Sequence, residues 1–252
     1  MPALRTPLSG AEQFEAVRFA SEGLVAVRRA SAVLCATVDE LDDAALFAPT
    51  RLTGWTRGHV VSHLARNADG LVNLLNWART GIESPMYASP ADRDADIEEG
   101  ANRMARVQQE DLRAADERFF MATEVMSETD WEARVVNTQG ATIGVYLVPW
   151  MRLTELLVHL VDLDAGKGFD DVVDLAGEQT AQLIDYVASR YDDRPAIPSV
   201  RLAVDLPSGD QGTWLLGDTG GPHEVRTAAA PALAWLTGRT TEEIQPALPA
   251  WL

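Results

Sequence analysis

The segment GWTRGHVVSHLARNADG places His59 and His63 four residues apart, and WMRLTELLVHLVDL places Glu155 and His159 four apart as well. Residues four apart on a helix share a face, so each pair projects together. The chain has only four histidines, and three of them lie in these two stretches. Thr56 is a natural N-cap, which puts His59 at the third helical position, where a polar side chain can reach back to the cap. His63 lies one turn further in, beside Val60, Leu64 and Asn67, on a face expected to be buried. A buried imidazole there needs a partner. Glu155 is surrounded by leucine and valine, and a carboxylate in such surroundings costs several kcal/mol unless it is paired or bound to a cation. Two arrangements meet that need. Glu155 pairs with Arg152 or with a histidine of a neighbouring helix, or His63, Glu155 and His159 together hold a metal between facing helices. Two histidines and one carboxylate leave coordination positions open, as in catalytic zinc sites, and non-haem iron(II) accepts the same set.

Other residues carry weaker signals. Asp162 follows His159 by three and Glu155 by seven, on nearly the same face. It reads as an acceptor behind a ligand, a contact to a bound cofactor, or a solvated surface acid. His223, in GDTGGPHE, is expected in a surface turn. Cys35 sits in an apolar helical pattern with Val33, Leu34 and Val38 and reads as inert packing.

These side chains need helices to carry them, and four long helical patterns fill the first two thirds of the chain. The first, about 11–38, repeats Phe14, Val17, Leu24, Val27 and Leu34 near a 3.6-residue period. The second starts at Thr56, repeats Val60, Leu64, Asn67, Leu71, Leu74 and Ala78, and stops at Gly81. The third opens on Ser89-Pro90, an N-cap followed by proline at the first helical position, and runs through Ile97, Ala101, Met104, Leu112, Ala115, Phe119 and Ala122. The fourth, about 144–164, is apolar around most of its circumference and should be central. Pro149 within it either kinks the helix or marks its start. Four such helices with polar connections predict a bundle. DAGKGFDD, residues 164–171, reads as a linker. A helix near 175–190 follows, then a hairpin from VRLAVDL and GTWLLG around SGDQG, a short helix over 228–236 and the turn TGRT. This tail is a small α/β unit.

Composition narrows the function classes. The length of 252 residues fits one or two domains. A net charge of −17 argues against nucleic acid, whose phosphates would be repelled. Apolar runs are too short for a membrane span. The start MPALRTPLSGAEQ lacks the basic and apolar regions of a secretion signal. A single cysteine excludes an internal disulfide, and with the rest points to the cytoplasm. Lys167 is the sole lysine against twenty arginines, a bias associated with GC-rich genomes such as those of actinobacteria.

GWTRGHVVSHLARNADGLVNLLNWARTGIESPMY, the WMR…E-x-x-x-H-x-x-DL segment and the closing WLTGR…WL resemble the mycothiol-dependent maleylpyruvate isomerase family. The resemblance spans nearly the whole chain, and NWARTG-x-x-SPMY with the C-terminal module is its more specific part. It implies an α+β protein: a DinB-like four-helix bundle over residues 1–166 carrying a metal site, and a smaller C-terminal α/β domain over 167–252. Carried over, the family's metal ligands fall on His63, Glu155 and His159, its non-ligand histidine on His59, and its essential arginine on Arg239. Pro149 departs from the family's pattern. The implied reaction is isomerisation of maleylpyruvate to fumarylpyruvate in gentisate breakdown, by thiol addition, bond rotation and elimination, with zinc as the expected divalent metal and mycothiol as thiol cofactor. The chain has no suitable nucleophilic cysteine, so the thiol must come from outside. The substrate is a small dianion, for which Arg239 would be the carboxylate clamp. Two other readings share the architecture: a mycothiol S-transferase acting on another electrophile, and a metal-bearing binding or stress protein without turnover. The oligomeric state is left open, and a monomer is compatible.

Overall fold

The computed structural model describes residues 10–192, 194–217, 220–240 and 244–251. Residues 1–9, the Phe14 side chain and Leu252, on which parts of the sequence reading fall, lie outside the described residues. The chain divides between Ala165 and Gly166 into two compact units. No helix among the described residues is long and apolar enough to cross a membrane.

The first unit is built on α1 (Gly10–Asp39), α3 (Arg57–Thr80), α5 (Ala105–Glu124) and α7 (Val148–Asp162). Helices α1 and α3 each pack against both α5 and α7, which makes a four-helix bundle. Shorter pieces connect them: α2 (Asp43–Leu46), α4 (Pro90–Ala101), α6 (Glu128–Trp131), and a hairpin of β1 (Arg134–Val136) and β2 (Thr142–Gly144). In α3 every position of the predicted stripe, from Val60 to Ala78, is buried, and Gly81 closes the helix. Helix α7 is buried around most of its circumference, as its composition predicts. Pro149 does not kink it. A 3-10 turn covers Val145–Leu147, and Pro149 stands in the first turn of the α-helix, where a missing N–H costs no hydrogen bond.

An ion pair crosses the bundle core. Arg152 of α7 is fully buried and donates to Asp116 Oδ1 of α5 at 2.6 Å, and to Leu64 O and Asn67 Oδ1 of α3. Ser31 of α1 donates to the other Asp116 oxygen at 2.8 Å, so all four helices meet in one network.

The third predicted helix is two helices. It breaks at residues 102–104, and Met104, expected on the buried stripe, is 66% exposed. The break is stabilised by side chains the apolar pattern does not show. Gln108 Nε2 donates to Ala101 O and Arg103 O, and Asp43 accepts from the Ala105 N–H. The separated α4 lies against α3, and Gly100 makes that approach possible, because a Cβ there would overlap Ser62 Oγ.

In the second unit, β3 (Val200–Asp205) is central, with β4 (Gln211–Leu216) antiparallel on one side and β5 (His223–Ala228) parallel on the other. The hairpin was expected; β5 was not, and His223 opens this strand, exposed, instead of lying in a turn. The presumed linker already contains the start of α8 (Phe169–Ala176), with Asp171 accepting from the Gly168 N–H at 2.9 Å. The single helix expected over 175–190 is divided by Gly177, at φ +56°, into the end of α8 and α9 (Thr180–Ser189). Helix α10 (Ala229–Leu236) packs on α8 and α9.

Candidate functional site

The N-terminal cap of α3 gives the two nearby histidines different partners. Thr56 Oγ1 accepts from the His59 N–H, and His59 Nδ1 accepts from the Thr56 N–H at 3.2 Å, a reciprocal capping box. The other nitrogen of His59 pairs with Glu98 of α4 at 3.1 Å. Both ring nitrogens of His59 are therefore engaged at the helix start.

His63, one turn on, faces α7. Its Nε2 lies 2.8 Å from Glu155 Oε2, and His159 Nε2 lies 3.3 Å from the same oxygen. The three residues offer one ligand atom each, all within 4.8 Å of one another. Ligands held about 2.1 Å from a tetrahedral ion stand about 3.4 Å apart, so the spread suits a divalent cation with little rearrangement. Two imidazoles and a carboxylate are the donor types such an ion takes, and the residues fit it. The His63 side chain is 7% exposed, that of His159 12% and that of Glu155 21%, so the cluster is sunk into the bundle but keeps a solvent-facing side. Arg152 goes to Asp116 and not to Glu155, which removes one of the pairings the sequence left open.

The electrostatics follow from this burial. Burial by itself would raise the Glu155 carboxyl, but the hydrogen bonds and charges of His159 and His63 outweigh it and hold the group well below its ordinary value. Burial pushes the His63 imidazole down, with Glu155 only partly opposing it. His159 is raised, because Asp162 and Glu155 together overcome its burial. Asp162 itself is fully buried, and its Oδ2 lies 2.9 Å from His159 Nδ1. It stands behind the ring as an acceptor, and its burial removes the solvated-acid alternative.

Residues 27–164 match the family model described as the mycothiol maleylpyruvate isomerase N-terminal domain, more than half of the chain. The chain belongs to that family. Among solved structures it is similar to one described as the crystal structure of the mycothiol-dependent maleylpyruvate isomerase. The two are 27% identical over 92% of this chain and 97% of that one, with a TM-score of 0.78. A histidine-to-alanine variant of the isomerase matches at 26% identity over the same shares, with a TM-score of 0.76. A search of curated proteins finds no match.

Three further side chains surround the cluster in this member of the family. Trp55, just before the α3 cap, has its ring 5.5 Å from that of His63 and stacks on His59. Arg93 of α4 lies 3.3 Å from His63 Nδ1, with its guanidinium over the Tyr87 ring. Sequence reasoning passed over all three, although Trp55 and Tyr87 lie in the quoted GWTRGH and SPMY segments. Arg93 had no local signal, since its approach to His63 depends on the break of the third helix and on the packing of α4 against α3. Cys35 is half-buried, 3.7 Å from Asp116 Oδ2, and burial followed by the Asp116 charge pushes its thiol up to about 12. Arg239 follows α10 in the second unit, half-buried, with Nη1 donating to Thr237 O at 2.6 Å.

Proposed function

We propose that the chain is a mycothiol-dependent cis–trans isomerase converting maleylpyruvate to fumarylpyruvate, the isomerisation step of gentisate breakdown, in the cytoplasm. The observation that carries this reading is the pairing of an open His63–Glu155–His159 cluster with a cysteine that stays protonated at neutral pH. The nucleophilic thiol must then come from outside the chain. Similarity to the solved isomerase over 92% of the chain supports the same conclusion.

His63, Glu155 and His159 would hold the divalent metal, with zinc the expected ion. A zinc ion there would supply the Lewis acidity that favours the thiolate of an external thiol near neutral pH. With a metal bound, Asp162 as acceptor for His159 Nδ1–H would fix the ring tautomer and free the Nε2 lone pair for the ion in place of its contact with Glu155. Glu155, held ionised by its two imidazole neighbours, contributes the negative charge a dication needs. The chemistry is addition of the thiol to the activated double bond, rotation about the resulting single bond, and elimination that returns the thiol and the trans product. In this reading Arg239 clamps a substrate carboxylate and stabilises the enolate that addition creates.

The test is incubation of purified protein with maleylpyruvate, with and without mycothiol, while fumarylpyruvate is followed. Conversion that requires catalytic amounts of thiol supports the isomerase. Accumulation of a stable thiol adduct, or conversion independent of thiol, refutes it. Arg239→Ala should keep its metal and lose on the order of 100-fold in turnover.

A further inference from the structure

His63 and His159 are supported differently. A metal-binding histidine coordinates through one ring nitrogen and donates the N–H of the other to an acceptor. His159 has that acceptor in Asp162, at 2.9 Å. His63 does not: its Nδ1 faces Arg93 Nη2 at 3.3 Å, and a guanidinium can only donate. While His63 Nε2 carries the proton and donates to Glu155, Nδ1 accepts from Arg93 and the contact is a hydrogen bond. Once the Nε2 lone pair is given to a metal, the neutral ring carries its proton on Nδ1, and two donors face one another. Arg93 is therefore the wrong partner for His63 as a ligand. An anionic oxygen is the acceptor that satisfies both.

The other contacts of Arg93 leave it able to take one. Its acid partner is Asp94, 2.7 Å away, whose side chain is 69% exposed. Such a surface pair contributes about 0–1 kcal/mol and gives way readily. The Arg93 guanidinium sits 5.8 Å over the Tyr87 ring and keeps 29% of its side chain exposed. The Tyr87 hydroxyl, which hydrogen-bonds the Arg93 side chain, is an O–H donor in its ordinary neutral form. A guanidinium, a phenol and an imidazole N–H thus gather beside the cluster. In a chain of net charge −17, a local cation of this kind is what admits an anion.

We infer that Arg93 is a substrate-binding residue that receives a carboxylate of the electrophile beside the metal ligands, within the same structural unit. Naming that electrophile rests on the isomerase reading above, whereas the preference for a carboxylate rests on the donors alone.

The test measures binding of maleate, a simple cis-dicarboxylate, to metal-loaded protein by titration calorimetry, for the wild type, Arg93→Met and Arg93→Lys. Metal content is determined on the same samples. The inference expects maleate to bind the wild type and to bind Arg93→Met at least about tenfold more weakly, the loss of one charge-assisted contact. Arg93→Lys should recover part of the affinity, metal should stay, and KM for maleylpyruvate should rise more than kcat falls. Equal binding by wild type and Arg93→Met overturns it, as does failure of the wild type to bind maleate. Loss of metal from both variants also overturns it, making Arg93 a support for His63 instead. If maleate binds through Arg93 while maleylpyruvate is not isomerised, the isomerase reading falls and the carboxylate site stands.

Discussion

Removing Asp116 should cost the bundle more than any substitution of comparable size on its surface. The Arg152 side chain is fully buried and its charge is met by Asp116 at 2.6 Å, while its remaining bonds go to the neutral Leu64 and Asn67 oxygens. Asp116→Ala leaves that charge without a counter-ion in a dry interior and also strips Ser31 Oγ of its acceptor. Breaking one partner of a buried pair costs about 3–5 kcal/mol, whereas replacing both by apolar residues is often near neutral. With a urea dependence of about 1–3 kcal/mol/M, the unfolding midpoint of metal-free protein should fall by roughly 1–5 M. Circular dichroism follows the transition. The double variant Asp116→Leu/Arg152→Met should recover most of the loss, since it removes the unpaired charge instead of the pair's attraction. A fall below about 0.5 M in Asp116→Ala, with no recovery in the double variant, would refute the reasoning.

His59→Ala should lower the thermal midpoint by an amount equivalent to about 1 kcal/mol, the worth of half a capping box, as read by calorimetry. Cys35→Ala should retain full turnover with added mycothiol, because a thiol pushed up to about 12 is not a nucleophile at neutral pH; inactivity in a folded, metal-bearing variant would contradict this. The metal-free protein should be most stable near pH 6.5. The raised His159 contributes stability that is present below its ordinary value of 6.5 and lost as pH rises through its folded pKa. The lowered His63 opposes folding when pH is low, and that effect fades as pH rises toward 6.5. Glu155 adds stability that disappears only as pH falls through its strongly depressed pKa. A thermal midpoint that keeps climbing from pH 6.5 to 8.5 would show these shifts to be misjudged.

Much of this was legible in the sequence where periodicity and cap chemistry agree. Thr56 and His59 specify their reciprocal bond by type and spacing alone, and the α3 stripe from Val60 to Ala78 predicts its buried face. Glu155 and His159 declare themselves because charged and polar groups are costly among leucines. The break of the third helix was hidden because polar side chains make it, one nearby and one far along the chain. Gln108 and Asp43 stabilise the gap between α4 and α5, and nothing in an apolar pattern reports such bonds. The strands β1 and β2 are three residues each, too short to show alternation, and β5 exposes His223, Glu224 and Arg226 together. Arg93 reaches His63 through the packing of α4 on α3, which Gly100 permits, a tertiary event with no local signature.

The central claim is that His63, Glu155 and His159 hold one divalent metal per chain. Metal analysis of the wild type beside His63→Ala, Glu155→Ala, His159→Ala and His59→Ala tests it most directly. The account predicts about one ion in the wild type and in His59→Ala, and little in each of the other three. A His59 variant that loses metal while the His63 variant keeps it, or ligand variants that all retain the ion, would contradict it.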